Sequence, residues 1–238
     1  MTGDVWRFAQ KTDLSRRAAF SRSPAPRPLA EPDLRRELSG NIHGMLQDAL
    51  TDLDRIGFTC FPGLVGSELL SDLRAEALLS KNSAKAVAST SGPRYQARMS
   101  RLGDAGRAFL NGDTMTRLVG ALFEMPLAAN DIASCYTHYQ PGDFLQAHVD
   151  HAEQCVVTAI LYLDVVHSDR DVDRTGLELH ILDAEPSGTR RVRRATIPTT
   201  TGALVIGLGS VHWHERPTLQ EGEYLTAMTA CYSTPGAT

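Results

Sequence analysis

The chain has 238 residues, with 24 Lys plus Arg against 28 Asp plus Glu and a formal net charge of -4. A length of this order buries about 70% or more of the unfolded surface, so folding requires neither a disulfide nor a structural metal. The slight acidic surplus excludes the basic footprint of a nucleic-acid protein, and no apolar run approaches the roughly 20 residues of a membrane span.

The N-terminus lacks the apolar core of a secretory signal, so a cytoplasmic location is expected. Residues 1–38 mix Arg16, Arg17, Arg22, Arg27, Arg35 and Arg36 with Pro24, Pro26, Pro28 and Pro32, a spacing that forbids a continuous helix. They read as a flexible strap ahead of a single domain over 39–238. Cys60, Cys135, Cys155 and Cys231 form no CxxC pair, and reduced thiols are expected. Cys155, in the apolar run Cys155–Ile160, reads as a small buried hydrophobe.

Ile42, Met45, Leu46, Leu50, Leu53 and Ile56 recur at three- and four-residue steps, which predicts an amphipathic helix over 41–57 capped by Gly57. Phe58–Phe61 alternates like a short strand and ends at Pro62-Gly63. A second helix is predicted over 67–79, with Ser67 as its N-cap. Residues 80–105 show no period and read as a long loop. Residues 113–124 return to helical spacing.

Beyond residue 130 the pattern changes to short apolar or alternating runs divided by Gly, Pro, Asp and Asn. Strands are predicted at 132–139, 144–148, 155–164, 176–182, 190–197, 203–208 and 223–232. The fold class is therefore α+β with a mainly β core: helices over about 41–124, then a sandwich or barrel over about 130–232.

The chemistry concentrates in two segments. In Tyr139–Asp150 a Pro141-Gly142 turn feeds a strand that ends in His148-x-Asp150. Residues i and i+2 of a strand share a face, so this imidazole and carboxylate can hold one ion together. Near the C-terminus, Gly202–Gly207 leads into His212-Trp213-His214-Glu215-Arg216. A histidine from this segment would complete a set of two histidines and one carboxylate, the donor set suited to non-haem Fe(II). His212 and His214 both qualify. Glu178 and Glu215 read as groups behind the ligands or in solvent.

The turn before HxD, the strand Thr158–Asp164, the strand Gly176–Leu179 and the GALVIG…H ending together resemble the Fe(II)/2-oxoglutarate-dependent dioxygenase superfamily. The resemblance covers about residues 130–232. It implies a double-stranded β-helix, or jelly roll, backed by N-terminal helices. It implies His148, Asp150 and His214 as metal ligands, the last favoured because Gly222 falls where the family has its glycine. It implies Fe(II), 2-oxoglutarate as cosubstrate, and dioxygen. The chain departs from the family where an arginine for the distal carboxylate of 2-oxoglutarate is usual: Tyr224 stands there. Arg216 is the leading substitute, with Arg193, Arg194, Arg98 and His138 as alternatives and Tyr136 as a hydroxyl donor. Asp150 in the carboxylate position speaks against halogenation. Substrate contacts are expected from Arg94, Arg98, His151, Glu153 and Trp213.

The resemblance thus implies a hydroxylase, desaturase or oxidative cyclase acting on a small molecule, in amino-acid or natural-product metabolism. A cupin-like metalloenzyme that uses no 2-oxoglutarate (an isomerase or a cosubstrate-free dioxygenase) and a non-catalytic jelly-roll binding module are the alternatives. No nucleic-acid or membrane partner is expected, and the sequence leaves the oligomeric state open.

Overall fold

The computed structural model describes residues 42–89, 94–168, 174–185 and 190–234. The expected strap over 1–38 lies outside them. Helix α1 (Ile42–Ile56) leads into β1 (Phe58–Phe61), and α2 (Ser67–Lys81) follows. Next come β2 (Lys85–Ser89), β3 (Tyr95–Arg101), α3 (Asp104–Asn111) and α4 (Asp113–Phe123). The β core runs through β4 (Ala128–Ala129), β5 (Cys135–Tyr139), β6 (Phe144–His148), β7 (Val157–Val166) and β8 (Glu178–Ala184). It closes with β9 (Arg191–Pro198), β10 (Leu204–Gly207), β11 (Trp213–Arg216) and β12 (Tyr224–Ser233).

Strands β5–β12 alternate between two antiparallel faces. One face is ordered β5-β12-β7-β10 and the other β6-β11-β8-β9. This is the double-stranded β-helix expected from the sequence. Strand β1 extends the first face beside β10, and β3 pairs with both β5 and β6, joining the two faces at one side.

The core divides accordingly. Leu161, Leu163, Leu204, Ile206, Met228 and Tyr232 pack against Leu73, Leu110, Leu118 and Val119 of the helices. Tyr162, Leu179, Ile181, Val205, Leu225 and Ala227 fill the barrel interior. Strand β10 is buried along its whole length because both of its faces are covered. That is why Leu204–Gly207 reads as an unbroken apolar run.

Residues 80–105 are not a loop. They hold the β2–β3 hairpin and the start of α3. On β3 the two buried residues, Ala97 and Ser100, are small and stand on opposite faces, and the Ser100 hydroxyl lies 2.8 Å from that of Ser80 on α2. A strand that buries only these leaves no apolar alternation to read. The α3 N-terminus is capped across the chain: Glu76 of α2 accepts from the amides of Gly103 (3.0 Å), Ala105 (2.8 Å) and Gly106 (2.9 Å), and from the Tyr136 hydroxyl (2.6 Å).

The thiol expectation also changes. Cys155 and Cys231 form a disulfide across 76 residues, whereas Cys60 and Cys135 are free. The apolar run around Cys155 belongs to the approach to β7, which lies beside β12. That register brings Cys231 opposite Thr158 and so within reach of Cys155.

Candidate metal centre

Strands β6 and β11 are neighbours, and His148 at the end of β6 is the register partner of His214 on β11. Asp150 follows two residues after His148, beyond the end of the strand. His148 Nε2 lies 3.2 Å and His214 Nε2 lies 3.7 Å from Asp150 Oδ1. One donor atom from each residue falls within 4.8 Å of the others. A divalent ion with ligands at about 2.1 Å and right angles separates neighbouring donors by about 3.0 Å, so the set needs little contraction to hold one.

The tautomers suit this role. His148 Nδ1 lies 3.0 Å from the Gln146 carbonyl and His214 Nδ1 lies 3.0 Å from the His212 carbonyl. Each Nδ1–H donates to the backbone, which leaves the Nε2 lone pair facing Asp150. Phe58 of β1 packs against the His214 ring with centroids 5.3 Å apart. Burial, then the neighbouring His148, lowers the His214 pKa to about 4. Burial alone would raise Asp150, but the two imidazoles and the Thr158 hydroxyl outweigh it and hold the carboxyl at about 2. His214 therefore presents a neutral imidazole and Asp150 an ionised carboxylate, the protonation states a metal requires of these ligands. Two neutral nitrogens and one carboxylate on one side of an ion form the facial set of non-haem Fe(II).

His212 takes no part in that cluster. Its ring lies against Gly57, where a side chain would collide with it, and Gly57 itself has φ 79° at the end of α1.

Deeper in the barrel, Arg216 shares the inner face of β11 with His214 and is 4% exposed. Its Nη1 donates to Thr199 Oγ1 (3.0 Å) and to the carbonyls of Gly176 (3.2 Å) and Glu178 (3.4 Å), and its Nη2 to the Tyr162 hydroxyl (2.9 Å). The ring of Tyr139 lies 5.6 Å from the guanidinium carbon. Burial raises the Tyr139 hydroxyl to about 12 and keeps it neutral. Among the described residues no carboxylate pairs with Arg216.

Other residues of the sequence reading lie elsewhere. Tyr136 points into the helical layer and spends its hydroxyl on Glu76. His138, one alternation away on the same side of β5, lies between Ser100 (3.3 Å) and Thr226 (3.2 Å). Tyr224 is 45% exposed, while Leu225 turns inward in its place. Trp213 faces outward beneath Arg191, whose guanidinium carbon is 3.9 Å from the ring centroid. Arg98 donates to the Ala84 carbonyl (2.7 Å), Arg94 lies over Phe144 at 5.9 Å, and His151 and Glu153 are exposed on the loop that carries Asp150. Arg193 approaches His180 at 3.2 Å, and Arg194 pairs with Asp183. Glu178 and Glu215 both flank His180, on the outer face of the barrel. Thr158 and Phe58 beside the cluster, and Tyr139, Tyr162 and Thr199 around Arg216, carry no site role in the sequence analysis. Tyr139, Thr158 and Tyr162 stand there only inside motifs.

No family model and no curated protein matches the sequence. Solved structures do resemble its fold. A prolyl-4-hydroxylase from Pseudomonas putida is 21% identical, covers 81% of this chain and 100% of its own, and superposes with a TM-score of 0.56. The non-haem α-ketoglutarate-dependent epimerase SnoN from nogalamycin biosynthesis is 15% identical, covers 81% and 82%, and reaches 0.64. HygX from Streptomyces hygroscopicus, solved with nickel, 2-oxoglutarate and hygromycin B, is 13% identical, covers 80% and 88%, and reaches 0.55. At these identities the likeness establishes the double-stranded β-helix. No described helix is long and apolar enough to cross a membrane.

Proposed function

We propose that the protein is an oxygenase that uses Fe(II), 2-oxoglutarate and dioxygen to oxidise a C–H bond of a small molecule, by hydroxylation, desaturation or oxidative cyclisation. The observation that carries this reading is the placing of two groups on one barrel strand. His214 belongs to a two-histidine, one-carboxylate donor set, and Arg216 is a buried cation without an acidic partner among the described residues. A buried, unpaired guanidinium is costly, and an anionic ligand would relieve that cost.

The geometry supports a role for each residue. His148, Asp150 and His214 would hold the iron, which supplies the oxidising chemistry once 2-oxoglutarate and dioxygen are present. Arg216 would neutralise the distal carboxylate of 2-oxoglutarate, with the Tyr162 and Thr199 hydroxyls fixing the guanidinium plane. Arginine on β11 thus takes the part that Tyr224, at the surface, cannot take. A small-molecule substrate is supported by two structural neighbours, SnoN solved with nogalamycin RO and HygX solved with hygromycin B.

Calorimetric titration of 2-oxoglutarate into the Mn(II)-loaded protein tests the cosubstrate. Arg216→Gln is expected to weaken binding by roughly 100-fold or more, the scale of removing one partner from a buried charge pair. Unchanged affinity would remove Arg216 from the site. Metal binding with no response to 2-oxoglutarate in the unaltered protein would favour the cupin-like reading.

A further inference from the structure

Asp150 stands beyond the end of β6, where no strand pairing fixes its carboxylate, yet the carboxylate is anchored from two sides. Its backbone amide donates to the Gly209 carbonyl at 2.9 Å. Its Oδ2 accepts from the hydroxyl of Thr158, a residue 3% exposed on the inner face of β7. Cys155 Sγ, tied in the disulfide to Cys231, closes the other side of that hydroxyl at 3.2 Å. A disulfide sulfur is a weak acceptor, so Asp150 is the one strong acceptor the Thr158 proton has here. Gly209 completes the enclosure. A β-carbon there would run into both Asp150 Oδ2 and Thr158 Oγ1, so the backbone approaches as closely as glycine permits.

We infer that Thr158 is a positioning residue of the metal centre. It occupies one oxygen of Asp150, so that only Oδ1 turns toward His148 Nε2 and His214 Nε2 and the carboxylate binds the ion through a single oxygen. This inference rests on reading His148, Asp150 and His214 as a metal centre. The physical reason is the one that makes hydrogen-bonded partners of ligands matter generally. A free carboxylate rotates and offers both oxygens, and rotation lowers affinity and alters the coordination number. Thr158 touches neither ion nor substrate in this scheme and acts only through Asp150.

The test compares Thr158→Val, which keeps the shape and loses the hydroxyl, with Thr158→Ser, which keeps the hydroxyl. Co(II) is titrated into each full-length protein, and affinity and the ligand-field spectrum are read, with circular dichroism as the check on folding. Thr158→Val is expected to lose about 10- to 100-fold in Co(II) affinity and to change the spectrum. Thr158→Ser is expected to restore both. If Thr158→Val does not fold, Thr158→Ala against Thr158→Ser makes the same comparison. Wild-type affinity and spectrum in the folded hydroxyl-free variant would overturn the inference, as would equal losses in the valine and serine variants. Failure of the unaltered protein to bind Co(II) would overturn the metal-centre reading itself, and this inference with it.

Discussion

His148 and His214 face each other across the β6–β11 pair, with ring centroids 4.2 Å apart and planes inclined by 52°. The register of two strands thus brings together two imidazoles that are far apart in sequence. The same relationship separates His214 from His212. They lie on one side-chain alternation in sequence, but β11 begins only at Trp213. His212 stands before the strand and packs against Gly57. His214→Ala is therefore expected to abolish measurable Fe(II) binding, while His212→Ala retains it within a few-fold. Equilibrium dialysis with iron quantitation checks both, and equal losses would contradict the assignment.

Glu76 gathers three backbone amides and the Tyr136 hydroxyl at the start of α3. Burial opposes its ionisation, but the hydrogen bonds from Tyr136 and the amides outweigh it and keep its pKa below the usual carboxylate range. The sign follows: this contribution is complete above the unfolded value of about 4.3 and is lost as pH falls through the lower folded value. Glu76→Gln, which keeps the shape but not the charge, is expected to cost about 2 kcal/mol near neutral pH, a fall in Tm of roughly 4–8 °C. Thermal melts of the two proteins measure it.

His138 is 3% exposed, and burial, then Lys81 and Arg98, lowers its pKa from 6.5 to about 4. The unfolded chain takes up a proton near pH 6.5 that the folded chain refuses until about pH 4. Stability should therefore rise with pH across that window, and His214 adds to the same slope. Denaturant unfolding of His138→Gln between pH 4 and 7 is expected to show a shallower dependence than the unaltered protein. Metal affinity should be unchanged, because His138 lies on the helical side of β5.

The disulfide closes a loop of 76 residues, which corresponds to roughly 4 kcal/mol in the chain-entropy account. Under denaturing conditions a thiol assay is expected to find two reactive cysteines, Cys60 and Cys135, before reduction and four afterwards. Reduction should lower the Tm. Four thiols without reductant would contradict the pairing.

Much of this architecture was legible in the residues. The spacing of Ile42–Ile56 and the alternation from residue 130 onward located most elements within a few residues, because their apolar faces meet apolar partners. Helix α3 was missed because it is short and its covered apolar residues are confined to Ala105, Phe109 and Leu110, and two missed strands lack an apolar face to read. Strand β3 buries Ser100 and Ala97, and β11 turns His214 and Arg216 inward, so neither shows a hydrophobic period. HxD was readable because local spacing on an extended segment fixes a shared face. Tyr136, His138 and Tyr224 were misplaced because the sequence does not say which face of β5 or β12 meets the helices. Thr158, Tyr162 and Thr199 gained a role only from strand register, which brings β7 and the residues after β9 to the site from distant parts of the chain.

An anaerobic titration of the metal-free protein with Fe(II) and 2-oxoglutarate, followed by visible absorption, tests the proposed iron site most directly. A metal-to-ligand charge-transfer band that requires both components and is lost in His148→Ala is expected. Iron bound at one equivalent without that band would contradict the cosubstrate. A band that survives in His148→Ala would contradict the site.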